Sequence, residues 1–454
     1  MFEKMQSILR RIEADYADIR YEIKNNERLS MANNELRSAF SNSGDGYVLR
    51  ILKDGLMGKA VFTREEDADT AVSMILKNIE IMRQQDSRKI SLAKAEIIKD
   101  ILKAPLIEDP RNIPFSEKKQ LIKDYHDLLI KQDLVAEIAI AYEDVIREKY
   151  FVSTEGTEIF EELVTCILQG TITCVKENEI QRVNFDFGGS DGYQRVRNRG
   201  KEMLERVSIC QQLLEAESVK AGIYKVILNP SMTGLFTHEA FGHLSEADSL
   251  DYSQLLKDKM VLGNKIGNDC VTIIDDATIP NQLGFYRYDD EGVAVRKTVL
   301  MENGILKGRL HNRITAFENN EPISGHNIAE DYRYAPIIRM GYIFMAPGKH
   351  TFEELLKEMD NGLYLCAEMG GQTAGENFTF GANWGYVVEN GKIGRMIKDI
   401  NMLGNLFETL NNIIAVGNDL ECAETGGCGK EQMNIRSNIG GPHILIDRVT
   451  IGGV

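Results

Sequence analysis

Several things are missing from this chain, and each omission removes a class of protein. No apolar run is long enough to cross a bilayer as a helix, and the opening stretch MFEKMQSILRRIEADYADIR is too charged for a secretion signal. A cytoplasmic protein without membrane association is the expectation. Cysteine is sparse: Cys166, Cys174, Cys210, Cys270, Cys366, Cys422 and Cys428 are seven in number, scattered, and never in a C-x-x-C pair. That pattern argues against a disulfide framework or a zinc ribbon and fits reduced thiols. Positive charge is in deficit, with 53 Lys and Arg against 69 Asp and Glu and a net charge of -16. No cluster of Lys and Arg interleaved with aromatics offsets it, so nucleic acid is not an expected partner. There is no low-complexity tract and no short-period repeat.

What remains is an ordinary globular composition, 43% hydrophobic and 27% charged over 454 residues, long enough for two domains with a large buried core. Phe2, Met5, Ile8, Leu9 and Ile12 recur at helical spacing, and ADIRYEIK alternates as a half-buried strand does. YVLRIL and GLMGKAVF are two further strands. They precede Thr63 and Glu66, whose spacing predicts a capping box for a helix burying Ala68, Ala71, Val72, Ile75 and Ile79. The three prolines between Pro105 and Pro114 mark a loop, with a helix from about Ser116 and strands between Leu134 and Val175 after it. A helix near Glu202 to Glu217 closes this half.

The second half is strand-rich and punctuated by glycine. TVLMENGILKGRL and GYVVENGKIGRMI each place Asn-Gly between apolar strands, at Asn303-Gly304 and Asn390-Gly391, the signal of a tight hairpin. The fold class expected is α+β: an N-terminal sheet-and-helix domain, 1–220, followed by a mainly antiparallel, barrel-like domain, 221–454.

The stretch THEAFGHLSEAD, residues 237–248, carries His238, Glu239 and His243. YKVIL before it reads as a strand, NP as a turn, and Ser231 as a candidate N-cap for a helix running through His243. Two neutral imidazoles, a carboxylate beside them and one open position are what a metal needs to activate water, with Glu239 taking the proton. The spacing is unusual for that task. Positions five apart in a regular helix differ by roughly 140°, and positions four apart by roughly 40°. A one-residue π-bulge removes the conflict by making i and i+5 neighbours, and Gly242 is where the backbone yields most easily. Glycine inside a helix is a local cost of about 1 kcal/mol, for which a distorted ligand turn or close packing against another backbone are the two explanations. A third ligand is required. The residues leave open Glu246, a remote histidine (His311, His326, His350 or His443) or a thiolate, with Glu246 favoured by its i+3 position.

THEAFGHLSEAD resembles the H-E-x-x-x-H signature of the TldD/PmbA metalloprotease family. YDDEGVAVRKTVLMENGILKGRLHNR, APIIRMGYIFMAPG, GLYLCAEMGGQTAGENFTFGANWGYVVENGKI and GGCGKEQMN resemble its segments in the same order. The likeness covers most of residues 221–454 and, more weakly, the first half. It departs at APIIRM, where Ile338 precedes Arg339 and many relatives have proline.

The resemblance implies that Cys428 is the third ligand, so that His238, His243 and Cys428 bind a metal and Glu239 is the general base. Zinc suits imidazole and thiolate together, with iron or cobalt as the other choices. Gly426, Gly427 and Gly429 permit a tight loop there; Cys422, in ECAET, lacks that context. Glu246 and Asp248 then become outer carboxylates able to orient a ligand histidine, and Lys430 a solvated loop residue. The resemblance further implies a peptidase acting on short or unfolded peptides held as an extended strand, working as a homodimer or as a heterodimer with a related subunit lacking the motif. Another metal-dependent amide hydrolase, a non-catalytic or regulatory subunit, and redox chemistry at Cys428 are the alternatives. The run Tyr288, Asp289, Asp290, Glu291, Gly292 reads as an acidic turn before a strand rather than a second metal site, and Trp384, the only tryptophan, as a sheet anchor or a channel wall.

Overall fold

A computed structural model describes residues 1–85, 87–252 and 254–453, apart from the side chains of residues 250–252, 254 and 255. The molecule is α+β, with a curled N-terminal sheet and a closed five-stranded barrel.

Long antiparallel strands dominate the first half. β1 (Tyr16–Ala32), β2 (Glu35–Lys53) and β3 (Leu56–Phe62) form a meander, and β4 (Lys99–Leu102), β5 (Val135–Ser153), β6 (Glu158–Lys176) and β7 (Glu179–Gly189) complete a sheet of order β3-β2-β1-β5-β6. β4 and β7 share the outer edge of β6, the first parallel to its beginning and the second antiparallel to its remainder. Asn33-Asn34 and Asp54-Gly55 join the meander in left-handed backbone, which suits two-residue turns to the twist of the strands. Helices α1 (Phe2–Leu9) and α2 (Ala68–Gln84) bury Met5, Ile8, Ala71, Ile75 and Ile79 against Ile19, Leu49 and Ile51. Helices α3 (Phe115–Leu129) and α4 (Gly200–Leu213) cover Tyr142, Leu168 and Ile172 with Ile122, Leu129, Met203 and Val207.

Two local expectations fail here. The capping box does not form: a 3-10 turn, Glu65–Asp67, precedes α2, and no side chain caps either. The face of α2 is nonetheless the one expected, because apolar periodicity is set by packing and not by the cap. The helix closing this half ends at Leu213, and Glu217 belongs to a short strand.

In the second half, strands Gly222–Leu228, Ile444–Gly452, Ile400–Asn405, Asn377–Glu389 and Gly362–Ala374 pair in that order. The last returns to the first through a parallel pairing, closing the barrel. A second sheet contains Ile273–Asp275, Thr298–Glu302, Tyr342–Met345 and Asn438–Gly441. Both Asn-Gly hairpins form, with Asn303, Gly304, Asn390 and Gly391 all in left-handed backbone. Trp384 is buried in the core that α4 shares with the N-terminal sheet, with the Arg206 guanidinium 5.6 Å from its ring centre, and it also borders a cavity of about 950 Å³.

The YDDEG run forms an acidic turn at residues 290 and 291, as expected, and the turn is buried. Asp289, Asp290 and Glu291 are buried between the two halves, where Asp290 meets Arg20 at 2.7 Å and Lys149 at 3.2 Å, and Glu291 meets Arg50 at 2.8 Å. Asp289 accepts the backbone N–H groups of Glu291, Val293 and Asn327. The turn is buried because its cations come from β1, β2 and β5, which it ties to the second half.

Candidate metal centre

Strand Gly222–Leu228 runs directly into helix α5 (Pro230–Phe236). The cap is Asn229, whose side chain accepts from the Met232 N–H at 3.0 Å, with Pro230 in the first turn; Ser231 is not the cap. Phe236 meets Phe378 of the barrel edge to face, its ring centre 5.6 Å away. A π-helical turn then spans Thr237–Gly242, followed by one α-turn, α6 (His243–Ser245). The extra residue per turn does what the spacing demands. His238 and His243 lie on one side of the helix with ring centres 5.2 Å apart and planes at 88°.

Gly242 has ordinary right-handed helical angles. Its missing side chain answers to packing: a Cβ there would overlap Met340 Sδ and lie 2.9 Å from Ile343 Cδ1. The glycine does lie in a distorted turn, and the close packing it permits is against side chains and not against another backbone.

Cys428 arrives from a two-stranded hairpin, Cys428–Lys430 with Gln432–Ile435. Its Sγ stands 3.4 Å from His243 Nε2, and Glu239 Oε2 stands 3.6 Å from the same nitrogen. Ligand atoms of His238, Glu239, His243 and Cys428 all lie within 4.8 Å of one another, and no second cluster of this kind occurs among the described residues. A tetrahedral ion with bonds of 2.0 to 2.3 Å separates its ligand atoms by roughly 3.3 to 3.8 Å, so the residues present fit a zinc-sized ion with little movement. His238 is buried, while Glu239, His243 and Cys428 are half-buried.

The surroundings tune the two imidazoles in opposite directions. Burial, with His243 and Arg339 nearby, pushes the His238 pKa well below its ordinary value and favours the neutral ring that a ligand requires. At His243 burial acts the same way but is outweighed by Cys428 and Glu246, and in the metal-free protein its pKa rises to about 9. Glu246 is fully buried. Burial raises its pKa, but the bond from His243 and the charges of Arg339 and Lys430 prevail and hold it below the ordinary value.

The other candidates lie elsewhere. His311 bonds Thr315 and Glu321, His326 bonds Asp275, His350 faces the Val416 carbonyl, and His443 bonds Asp419 and Tyr364. Cys422 accepts from Asn438 Nδ2 at 3.2 Å in another sheet and is not in the cluster.

Two residues in the site carry more than their sequence suggested. Arg339 is completely buried; its Nη1 donates to Glu246 Oε1 at 3.0 Å and lies 3.4 Å from His243 Nδ1. Lys430 is not a solvated loop residue: its Nζ donates to Glu246 Oε2 at 2.8 Å and to both oxygens of Asp248 at 2.9 Å. The available signals were the acidic residues three and five places after His243 and the lysine two places after Cys428.

Two family models match the sequence: the PmbA/TldA metallopeptidase C-terminal domain over residues 221–453 and PmbA/TldA metallopeptidase domain 1 over residues 17–81. A metalloprotease of Methanocaldococcus jannaschii is 33% identical over 446 residues, covering 97% of each chain. A zinc metalloprotease TldD homolog of Saccharolobus solfataricus is 30% identical over 465 residues, again covering 97% of each. Among solved structures, a Thermotoga maritima protein described as a putative modulator of a DNA gyrase has a TM-score of 0.82 at 22% identity over 100% of both chains. TldE from Thermococcus kodakarensis has a TM-score of 0.81 at 20% identity, covering 99% of this chain and 100% of that one. The likeness to these two structures is one of fold.

Proposed function

The chain belongs to the PmbA/TldA metallopeptidase family, and from that premise we propose that it is a zinc peptidase in which His238, His243 and Cys428 hold the metal and Glu239 is the general base. The observation that carries this reading is the meeting of those four side chains within 4.8 Å across a π-helical turn and a distant hairpin. The metal belongs to the family's chemistry, and its identity as zinc is supported by the mixed imidazole and thiolate donors and by the name of the Saccharolobus relative.

A bound zinc ion supplies Lewis acidity, polarising a scissile carbonyl and acidifying water. In this reading Glu239, next to His238 and half-buried, accepts the proton of the attacking water and returns it to the leaving amine. His238, neutral and buried, holds its position through a fixed helix. The substrates we infer are short or unfolded peptides bound as an extended strand. Among the described residues, strand Cys428–Lys430 pairs on one edge only, which leaves main-chain donors and acceptors for a peptide beside the thiolate. This reading keeps two units, 1–220 and 221–454, in a cytoplasmic homodimer or a heterodimer with a related subunit lacking the motif. Its fold in common with the protein named TldE supports a pairing of like subunits, and among the described residues no helix is long and apolar enough to cross a membrane.

Elemental analysis of the purified protein should find about one zinc per chain, lost in His238→Ala and in Cys428→Ala. Glu239→Ala should keep the metal and the fold while cleavage of an unstructured peptide falls by about 10²- to 10⁴-fold. Full metal retention in Cys428→Ala would return the third position to Glu246. Iron or cobalt in place of zinc would correct the metal, and undiminished cleavage by Glu239→Ala would remove the mechanism.

A further inference from the structure

We propose that Lys430 and Glu246 form a clamp that docks the hairpin carrying Cys428 onto the histidine helix, making both of them positioning residues that assemble the metal site. The inference rests on the ligand set proposed above.

Cys428 lies 185 residues from His243 on a strand of three residues, preceded by Gly427 in a left-handed conformation that favours glycine. So short a strand, paired on one edge, does not fix a thiolate by itself. Cys428 and Lys430 nonetheless reach the helix together, across a register shift of the hairpin between them: Sγ lies 3.4 Å from His243 Nε2 and Nζ 2.8 Å from Glu246 Oε2. Lys430 Nζ meets Glu246 Oε2 and both Asp248 oxygens. The other oxygen of Glu246 receives Arg339 and stands 3.7 Å from His243 Nδ1. One buried carboxylate thus faces an imidazole of the helix on one side and the lysine of the hairpin on the other. Its backbone is held as well, since Leu310 N–H donates to the Ser245 carbonyl and Ala247 N–H to the Leu310 carbonyl.

The far end of the hairpin has its own anchor. Glu330 Oε2 accepts the N–H groups of Met433 at 2.8 Å and Asn434 at 3.0 Å, and Gln432 bonds Glu330 N–H and the Ala335 carbonyl. That anchor sets the hairpin on the loop after Ile328, and the lysine sets it on the metal helix. Lys430 cannot also serve as an oxyanion donor in this arrangement. An ammonium has three N–H groups, and three carboxylate oxygens already engage this one. The clamp therefore acts on where Cys428 sits, and through Glu246 on which way the His243 ring faces.

The test uses the full-length chain with Lys430→Met, which keeps the length of the side chain and removes its charge, and Lys430→Arg, which restores a donor. Glu246→Gln leaves Arg339 short of its counter-charge in the interior and is a poorer probe, so Asp248→Asn serves as the second variant. Three quantities are read: zinc affinity by competition with a chromophoric chelator, amide hydrogen exchange of residues 428–435 in the metal-free protein, and kcat at saturating zinc. Lys430→Met should bind zinc about 10- to 100-fold more weakly and exchange the hairpin amides faster. Asp248→Asn should move the same way by less, and Lys430→Arg should recover most of both binding and protection. A fall in kcat with affinity and exchange unchanged would assign Lys430 to the substrate and overturn the clamp; no change in affinity or exchange would overturn it too. If Cys428→Ala binds zinc as tightly as the parent, it is the ligand assignment that fails. Hairpin exchange in Lys430→Met then decides the clamp alone: faster exchange upholds it and unchanged exchange ends it.

Discussion

Gly242 and Met340 meet at the back of the π-turn, and the first prediction belongs to that pair. A β-carbon at Gly242 would overlap Met340 Sδ while the backbone angles there suit any residue, so Gly242→Ala should act through overpacking. Destabilisation of about 1 to 3 kcal/mol is expected in urea unfolding of the metal-free protein. Met340→Ala opens the space and is itself destabilising, but the double variant should be less damaged than the sum of the two. Strict additivity would mean the glycine serves the backbone after all. Residue by residue, the local part of the site was legible: His238, Glu239 and His243 fall in one six-residue window, and their residue types name their chemistry. Arg339 and Lys430 were not. They reach Glu246 from 93 and 184 positions away, and nothing in their immediate neighbours marks an arginine with no exposed surface or a lysine with three carboxylate oxygens around it. Cys428 was tied to the histidines by family likeness and not by spacing, for the same reason.

Between residues and the fold stands the π-turn, whose register can be edited. Inserting one alanine between Ala240 and Phe241 should rotate His243 by about 100° relative to His238 and abolish zinc binding. Deleting Ala240 should let the turn relax into an α-helix in which the histidines stand four apart and remain neighbours, so zinc binding should persist at reduced affinity. Elemental analysis of the two variants, with circular dichroism to establish folding, checks both. A folded insertion variant that still binds zinc stoichiometrically would show that the geometry of this turn does not set the site. The need for a distorted turn could be read from the five-residue spacing because helical geometry admits few other solutions. The Asn-Gly hairpins were equally readable, since left-handed backbone at both turn positions restricts which residues occur there. Caps were read less well. Ser231 is a good cap residue beside a better-placed competitor, and Thr63 a good cap residue at a helix start that no side chain caps. Proline in the first turn marks Asn229 as the cap of α5, and a 3-10 turn displaces the start of α2.

At the scale of the whole molecule, the halves are joined by buried charge, which no local pattern announced. YDDEG was legible as an acidic turn but its burial was not, because its cations sit on strands far away in the sequence; the burial becomes intelligible once β1, β2 and β5 are seen to present Arg20, Arg50 and Lys149 to it. Burial alone would raise the Asp290 pKa, but Arg20, Lys149 and Arg147 outweigh it and bring the carboxyl to about 2, below its ordinary 3.8. The sign of the consequence follows from linkage. A carboxyl with a depressed folded pKa contributes stability that is complete above its unfolded pKa, near 4, and is lost as pH falls toward 2. The shift corresponds to something on the order of 2 kcal/mol. Asp290→Asn leaves Arg20 and Lys149 buried with less compensation, so at neutral pH it should destabilise the protein by about 3 to 5 kcal/mol. Urea midpoints measured from neutral pH down to about pH 2.5 should show the gap between parent and variant shrinking below about pH 4, as the parent loses what the variant never had. A gap that stays constant down to the lowest pH would mean that Asp290 has the same pKa in the folded and unfolded protein, so that Arg20, Lys149 and Arg147 give its charge no net stabilisation.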